Sequence, residues 1–337
     1  MKQSMLLEFK ELHKDLPAQR SEEWLNGRKL TIGGSELSKL SSPNNRRALI
    51  EERLGIKKRF DGNTATRWGT VLEALSTIYL SKLFNVEILE FGSIPSDVKS
   101  FKYSPDGLAC FPDDKIKLIE IKNPFSRVPN GKIPASYKPQ VYGGLDAVPL
   151  ADSLLYCDFL VKRCSLSELT NAVNSAADSL PVVELTAAYV GLIYTCEETG
   201  WLDYGECDID TLDEMLEYII NKSHVIHYAE YDSLAFSREY LSKGEWKEAG
   251  ILPLKLIKCD IVEIDRTTWR KEKKYAKSSA LRFIDTLEPH MNEVIETIET
   301  LLPLSSEEQV ARLNAMFTKE CQVLPTLTPE ELSIMMG

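Results

Sequence analysis

The chain has 337 residues, 43% of them hydrophobic, with 40 basic and 51 acidic side chains that leave a net charge of −11. This is enough apolar content and length for one large domain, or a domain with a sizeable extension, and there is no repeat or low-complexity segment. The acid surplus argues against binding nucleic acid through bulk charge, so any such role must rest on local charge. The longest apolar runs fall short of the roughly 20 residues that cross a bilayer, and the first fifteen residues lack a signal-peptide core. Seven scattered cysteines form no C-x-x-C pair. The expectation is a protein with no membrane partner, located in the cytoplasm or the nucleus and not secreted, its thiols free in a reducing compartment.

Met5, Leu6, Phe9, Leu12 and Leu16 recur at helical spacing and predict a short amphipathic helix ending before Pro17. Ser21 can cap a second helix that buries Trp24 and Leu25 and ends at Gly27, with Arg28 just beyond. Gly33, Gly34 and Ser35 then precede Glu36, Leu37 and Leu40 and read as another helix start. Its free amides and the Ser35 hydroxyl form an anion site. On the residues alone, a capped helical pair with a surface arginine is the plainer reading. Residues 46–59 hold six cations against two acids and predict a basic helix that could lie along a DNA backbone. Leu72, Leu75, Ile78, Tyr79 and Leu83 make an apolar stripe on the next helix, with Glu73 just off it.

Alternation over residues 86–94 predicts a strand, and residues 101–103 predict another, leading into the turn Ser104-Pro105-Asp106-Gly107. Residues 117–121 form a short apolar strand that ends in Glu120, Ile121 and Lys122. Residues two apart in a strand share a face, so Glu120 and Lys122 project together while Ile121 points into a core. If Asp106 arrives on the neighbouring strand or turn, two carboxylates converge and can hold Mg²⁺ through oxygen. Lys122 would then orient or help deprotonate an attacking water, which is the apparatus of metal-assisted phosphodiester hydrolysis. Taken alone, acid-x-Lys on a strand is more often a solvated edge. Residues 115–138 also carry six cations against one acid, so positive charge is concentrated beside this candidate site.

A helix after the proline-rich loop carries Gln140, Val141, Gly144 and Leu145, and residues 153–161 and 187–196 are β-rich. The order predicts an α/β sandwich, a central mixed sheet of about five strands flanked by helices. Beyond residue 200 no chemical motif stands out. Helices are expected over 211–221 and 279–302 and a strand over 254–264, which makes an α+β extension. Residues 270–277 form a basic knot that could touch phosphates, and His224 and His227 lack further metal ligands nearby.

The order P-D-G, apolar strand, E-I-K, proline-rich loop and Y-K-P-Q resembles the PD-(D/E)xK nucleases. More narrowly, it resembles the phage-lambda-type or YqaJ-type viral alkaline exonucleases, especially those of large cytoplasmic DNA viruses. The resemblance implies a PD-(D/E)xK core over residues 1–200, with residues 201–337 as an extension of unknown role packed on it. It implies that Asp106, Glu120 and the Ile121 backbone carbonyl hold Mg²⁺, for which Mn²⁺ could substitute. Glu73, spaced from Gly69 as in the family, would join the metal shell directly or through water, and Lys122 would serve as the water-orienting base. Gln140 would stand near both the metal and the DNA, and Arg28, Ser35 and Ser104 would grip a terminal 5′ phosphate.

The activity implied is 5′-to-3′ digestion of one strand of linear double-stranded DNA from its ends. The 3′ overhangs would pass to a single-strand annealing protein for recombination, repair or genome processing. Family members act as a ring of three or as monomers, and the sequence does not choose between them. Two other readings fit the same residues. One is a structure-selective endonuclease or DNA/RNA nuclease of the herpesviral type, which would cut end-blocked or circular substrates. The other is a non-catalytic DNA-binding scaffold, against which the intact Asp106, Glu120 and Lys122 count.

Overall fold

A computed structural model describes residues 2–17, 21–58, 60, 62–163, 189–195, 225–229, 251–267 and 283–320. The helix expected over 211–221, the basic knot over 270–277, His224 and the side chain of His227 lie outside them. The N-terminal helices are α1 (Lys2–Leu12) and α2 (Glu22–Gly27). The Ser21 hydroxyl caps α2 by accepting from the Trp24 amide at 3.2 Å. The Gly-Gly-Ser turn opens a 3₁₀ helix, Gly34–Ser41, rather than an α-helix. Then come α3 (Pro43–Arg53) and α4 (Thr64–Phe84), the latter capped by Asn63.

Among the described residues the strands form two sheets. In the smaller one, β3 (Phe101–Tyr103) lies between β1 (Ile32–Gly33), which runs parallel to it, and β2 (Ile94–Pro95), which runs antiparallel. The larger sheet has six strands: β4 (Gly107–Cys110), β5 (Ile116–Lys122), β6 (Ser153–Arg163), β7 (Tyr189–Thr195), β8 (Val225–Ala229) and β9 (Ile251–Asp265). Their spatial order is β4-β5-β6-β9-β7-β8. Only β5 and β6 run parallel, and α5 (Lys138–Ala147) makes the crossover that such a pair requires. The other pairs are antiparallel. Helix α4, the β4–β5 hairpin, α5 and β6 together give a mixed α/β fold with helices on both faces of the sheet.

Alternation along β5 divides the core in two. Ile119 and Ile121 pack beneath α4 with Trp68, Val71, Leu72 and Leu75. Ile116 and Leu118 face the other way, toward α5, the 3₁₀ helix and α6 (Phe283–Leu301). Phe283, Leu287, Met291, Val294 and Ile298 of α6 are buried there, which is the stripe the sequence shows. Helix α7 (Ser306–Glu320) follows and adds Leu313 and Phe317 to the same core.

Three expectations need correction. The main sheet has six strands among the described residues where about five were expected, because β8 and β9 come from beyond residue 200; β9 pairs with β6 from Ser153 to Arg163 and separates it from β7. Most of residues 86–94 is not strand. That segment supplies only a single bridge from Leu89 to Leu108 and the start of β2, and the Leu16–Pro17 tail presses on Gly92, where a Cβ would stand 2.5 Å from the Pro17 carbonyl oxygen.

The third correction concerns the basic helix. Arg46 is buried, donates to the Leu40 carbonyl at 2.8 Å and lies 3.6 Å from Glu293. Arg47 pairs with Glu51, and Arg53 with Glu36. These charges brace the fold rather than form a row for DNA. Among the described residues no helix is long and apolar enough to cross a membrane.

Candidate active site

A cavity of about 630 Å³ opens between α4, the β4–β5 hairpin, the start of α5 and the segment from α2 to the 3₁₀ helix. Every site residue expected from the sequence lines it: Arg28, Ser35, Glu73, Ser104, Asp106, Glu120, Ile121, Lys122 and Gln140. Strand parity places the acid and the lysine together, since Glu120 and Lys122 leave β5 on the α5 side while Ile121 packs under α4. Asp106 enters from the turn before β4, where its Oδ2 accepts from the Ile121 amide at 2.6 Å.

Glu120 has no exposed surface and its carboxylate is held from several sides. The wholly buried Tyr103 hydroxyl donates to Oε2 at 2.6 Å. Lys122 Nζ and Gln140 Nε2 both donate to Oε1. Burial, then the Glu120 charge, push the Asp106 carboxyl well above its ordinary range, against the pull of Lys122. Burial also works against the charge on Lys122, but Glu120 and Asp106 outweigh it and hold the ammonium protonated well into the alkaline range. A carboxyl crowded against a second one in this way is a place where a cation is welcome. The donors are all oxygen, which suits a hard divalent ion. Among the described residues no three acid, His or Cys side chains converge as a ready-made cluster, so the set is a carboxylate pair with Glu73 on the cavity wall.

The opposite end of the cavity is built around a second buried carboxylate, Glu36. Arg28 reaches its Oε2 at 2.9 Å, and Arg53 donates to both of its oxygens at 2.7 Å. The Gly33 amide adds a bond at 2.8 Å. Burial opposes ionisation of Glu36, yet Arg28 and Arg53 hold its carboxyl below the usual range. The Arg28 guanidinium also stacks over Trp24 at 4.6 Å. Trp24 in turn donates to Ser104 Oγ at 3.3 Å, and Ser104 bonds Ser93 at 2.7 Å. A side chain at Gly33 would strike Arg28 Nη2 at 2.6 Å, and one at Gly34 would strike Tyr103 at 2.7 Å.

Sequence reading passed over Tyr103, Arg53, Ser93 and Lys102 as site residues. For Lys102 a signal was available: it stands two residues before Ser104, on the face opposite the buried Phe101 and Tyr103. Glu36 and Arg53 lie 17 residues apart in the chain, and nothing local announces their pairing.

Comparison with known proteins places the chain. Residues 23–146 match the family described as YqaJ-like viral recombinase domain, a span that takes in the whole cavity lining. Protein D345L of African swine fever virus (strain Badajoz 1971 Vero-adapted) is 26% identical over 256 residues, covering 66% of this chain and 74% of the relative. The same protein from isolate Tick/Malawi/Lil 20-1/1983 shows equal identity and coverage. Among solved structures, an alkaline exonuclease (LHK-Exo) from Laribacter hongkongensis aligns with a TM-score of 0.42 and 16% identity over 88% of this chain and 99% of that one. Over residues 23–146 the chain is thus similar to the YqaJ-like viral recombinase domain.

Proposed function

We propose that the chain is a Mg²⁺-dependent 5′-to-3′ exonuclease that digests one strand of linear double-stranded DNA and leaves 3′ overhangs. One observation carries this reading: the Asp106, Glu120 and Lys122 group shares a single cavity with Arg28, Ser35 and Ser104. A reacting phosphodiester and a terminal phosphate can therefore be held at the same time.

Asp106 and Glu120, with the Ile121 carbonyl and with Glu73 directly or through water, would hold the Mg²⁺, and Mn²⁺ would substitute. Once bound, it supplies charge stabilisation at the scissile phosphate. Lys122, kept as an ammonium by its two acid neighbours, orients the attacking water by donation. Gln140 and Tyr103 fix the Glu120 carboxylate so that neither oxygen drifts. Arg28, locked by Trp24 and Glu36, offers the terminal 5′ phosphate a preset guanidinium, and the Ser35 and Ser104 hydroxyls add neutral donors. Each cut that leaves a 5′ phosphate on the remaining strand renews the group this end of the cavity grips. Phe125 and Tyr137 on the wall can stack on an unpaired base. The overhangs would pass to a single-strand annealing protein during recombination, repair or genome processing.

The test is digestion of a linear duplex labelled at one phosphorylated 5′ end, beside a closed circular duplex, with and without Mg²⁺. The reading expects release of the labelled terminal nucleotide only with Mg²⁺ and no attack on the circle. Equal cutting of the circle would replace it with an endonuclease.

A further inference from the structure

The phosphate-gripping end of the cavity holds a cation that the mechanism above does not use. Lys102 sits in the middle of β3 between Phe101 and Tyr103, both wholly buried. Alternation turns it away from that core, and it lines the cavity beside Trp24, Arg28 and Ser104. Its Nζ reaches the end of α2, where a Cβ on Gly27 would lie 3.9 Å away. Among the described residues no acid pairs with it.

Arg28 is in a different position. Its charge is shared with Glu36, which Arg53 also engages, so those three groups together leave one net positive charge. Lys102 supplies a second. A terminal phosphate monoester carries close to two negative charges near neutral pH, whereas an internal phosphodiester carries one. The residual charge of this end thus equals that of a terminal phosphate only when Lys102 is counted. The two cations also differ in kind: Arg28 is a fork fixed by stacking and pairing, and Lys102 is a point charge on a flexible stem that can follow the phosphate.

We propose that Lys102 is a second phosphate-binding residue, needed together with Arg28 for the cavity to prefer a terminal phosphomonoester to an internal phosphodiester. The proposal rests on the reading of this cavity as a DNA-end site.

The test uses the full chain and one blunt hairpin duplex bearing either a 5′ phosphate or a 5′ hydroxyl, with binding measured by fluorescence polarisation in EDTA at fixed salt. The wild type should bind the phosphorylated end more tightly. Lys102→Gln should lose about tenfold in affinity for that end while binding the hydroxyl end as the wild type does, and Lys102→Arg should restore the preference. An unchanged preference in Lys102→Gln, or an equal loss on both ends, would overturn the assignment. A wild type indifferent to the phosphate would overturn it together with the end-reading role. Digestion in Mg²⁺ is scored separately, so a chain that reads the phosphate without cutting sinks the exonuclease reading and leaves Lys102 in place.

Discussion

The two ends of the cavity use one device with opposite sign. Each is organised around a carboxylate withdrawn from solvent, Glu120 at one end and Glu36 at the other. Glu120 is held by a neutral phenol, a neutral amide and a single ammonium, and Asp106 stands beside it. Glu36 is held by two guanidiniums and a backbone amide. The first arrangement sets two carboxyls against one ammonium, and the second sets two guanidiniums against one carboxylate. In both, the partners around one buried acid set the local charge of the wall, although the chain as a whole is acidic.

That contrast can be broken from either side. The largest effect is expected at the acidic end. Asp106→Ala should abolish cleavage while leaving the fold in place, because it removes a carboxyl that burial already disfavours as an anion; digestion assays and thermal melting check the two halves. Next, Lys122→Ala should slow hydrolysis by the roughly 10²–10⁴-fold typical of a positioned proton-handling group, read in single-turnover experiments.

At the basic end, Glu36→Ala should act first on stability. It leaves Arg28 and Arg53 facing each other without their counter-charge, a loss of about 3–5 kcal/mol for breaking a buried pair, measured by urea unfolding. The pH dependence has a definite sign. The folded pKa of Glu36 lies below its ordinary 4.5, so its contribution is complete above that pH and is lost as pH falls through the lowered value. A Glu36→Gln variant should lack this acid-side slope. The smallest effect is Tyr103→Phe, which strips one donor from Glu120 and should cost about 1.5–3 kcal/mol, the usual range for a hydrogen bond to a charged group. Tight Mg²⁺ binding retained by Tyr103→Phe in calorimetry would show that Glu120 does not need the phenol to hold its orientation.

The acidic end was largely legible in the chain because its logic is local. Strand parity puts Glu120 and Lys122 on one face, and a turn places Asp106 just before β4, the strand paired with theirs. The basic end was legible only in Arg28, Ser35 and Ser104. Its hub, Glu36, takes its meaning from Arg53, which reaches it from another helix. The same limit explains the basic stretch over 46–59, where Arg46 looks like a DNA contact in one dimension and is a core brace in three. It also explains β9, which pairs with β6 about a hundred residues away and with β7 about sixty away, pairings that no local pattern announces.

The division of labour is tested most directly by kcat and KM on 5′-phosphorylated and 5′-hydroxyl linear duplex, compared for wild type, Arg28→Ala and Lys122→Ala. If the two ends act separately, Arg28→Ala raises KM on phosphorylated ends and removes most of the preference over hydroxyl ends. Lys122→Ala should then lower kcat on both substrates with KM little changed. Equal rates on the two ends by wild type, or the same kcat loss from both variants with the preference intact, would contradict the account.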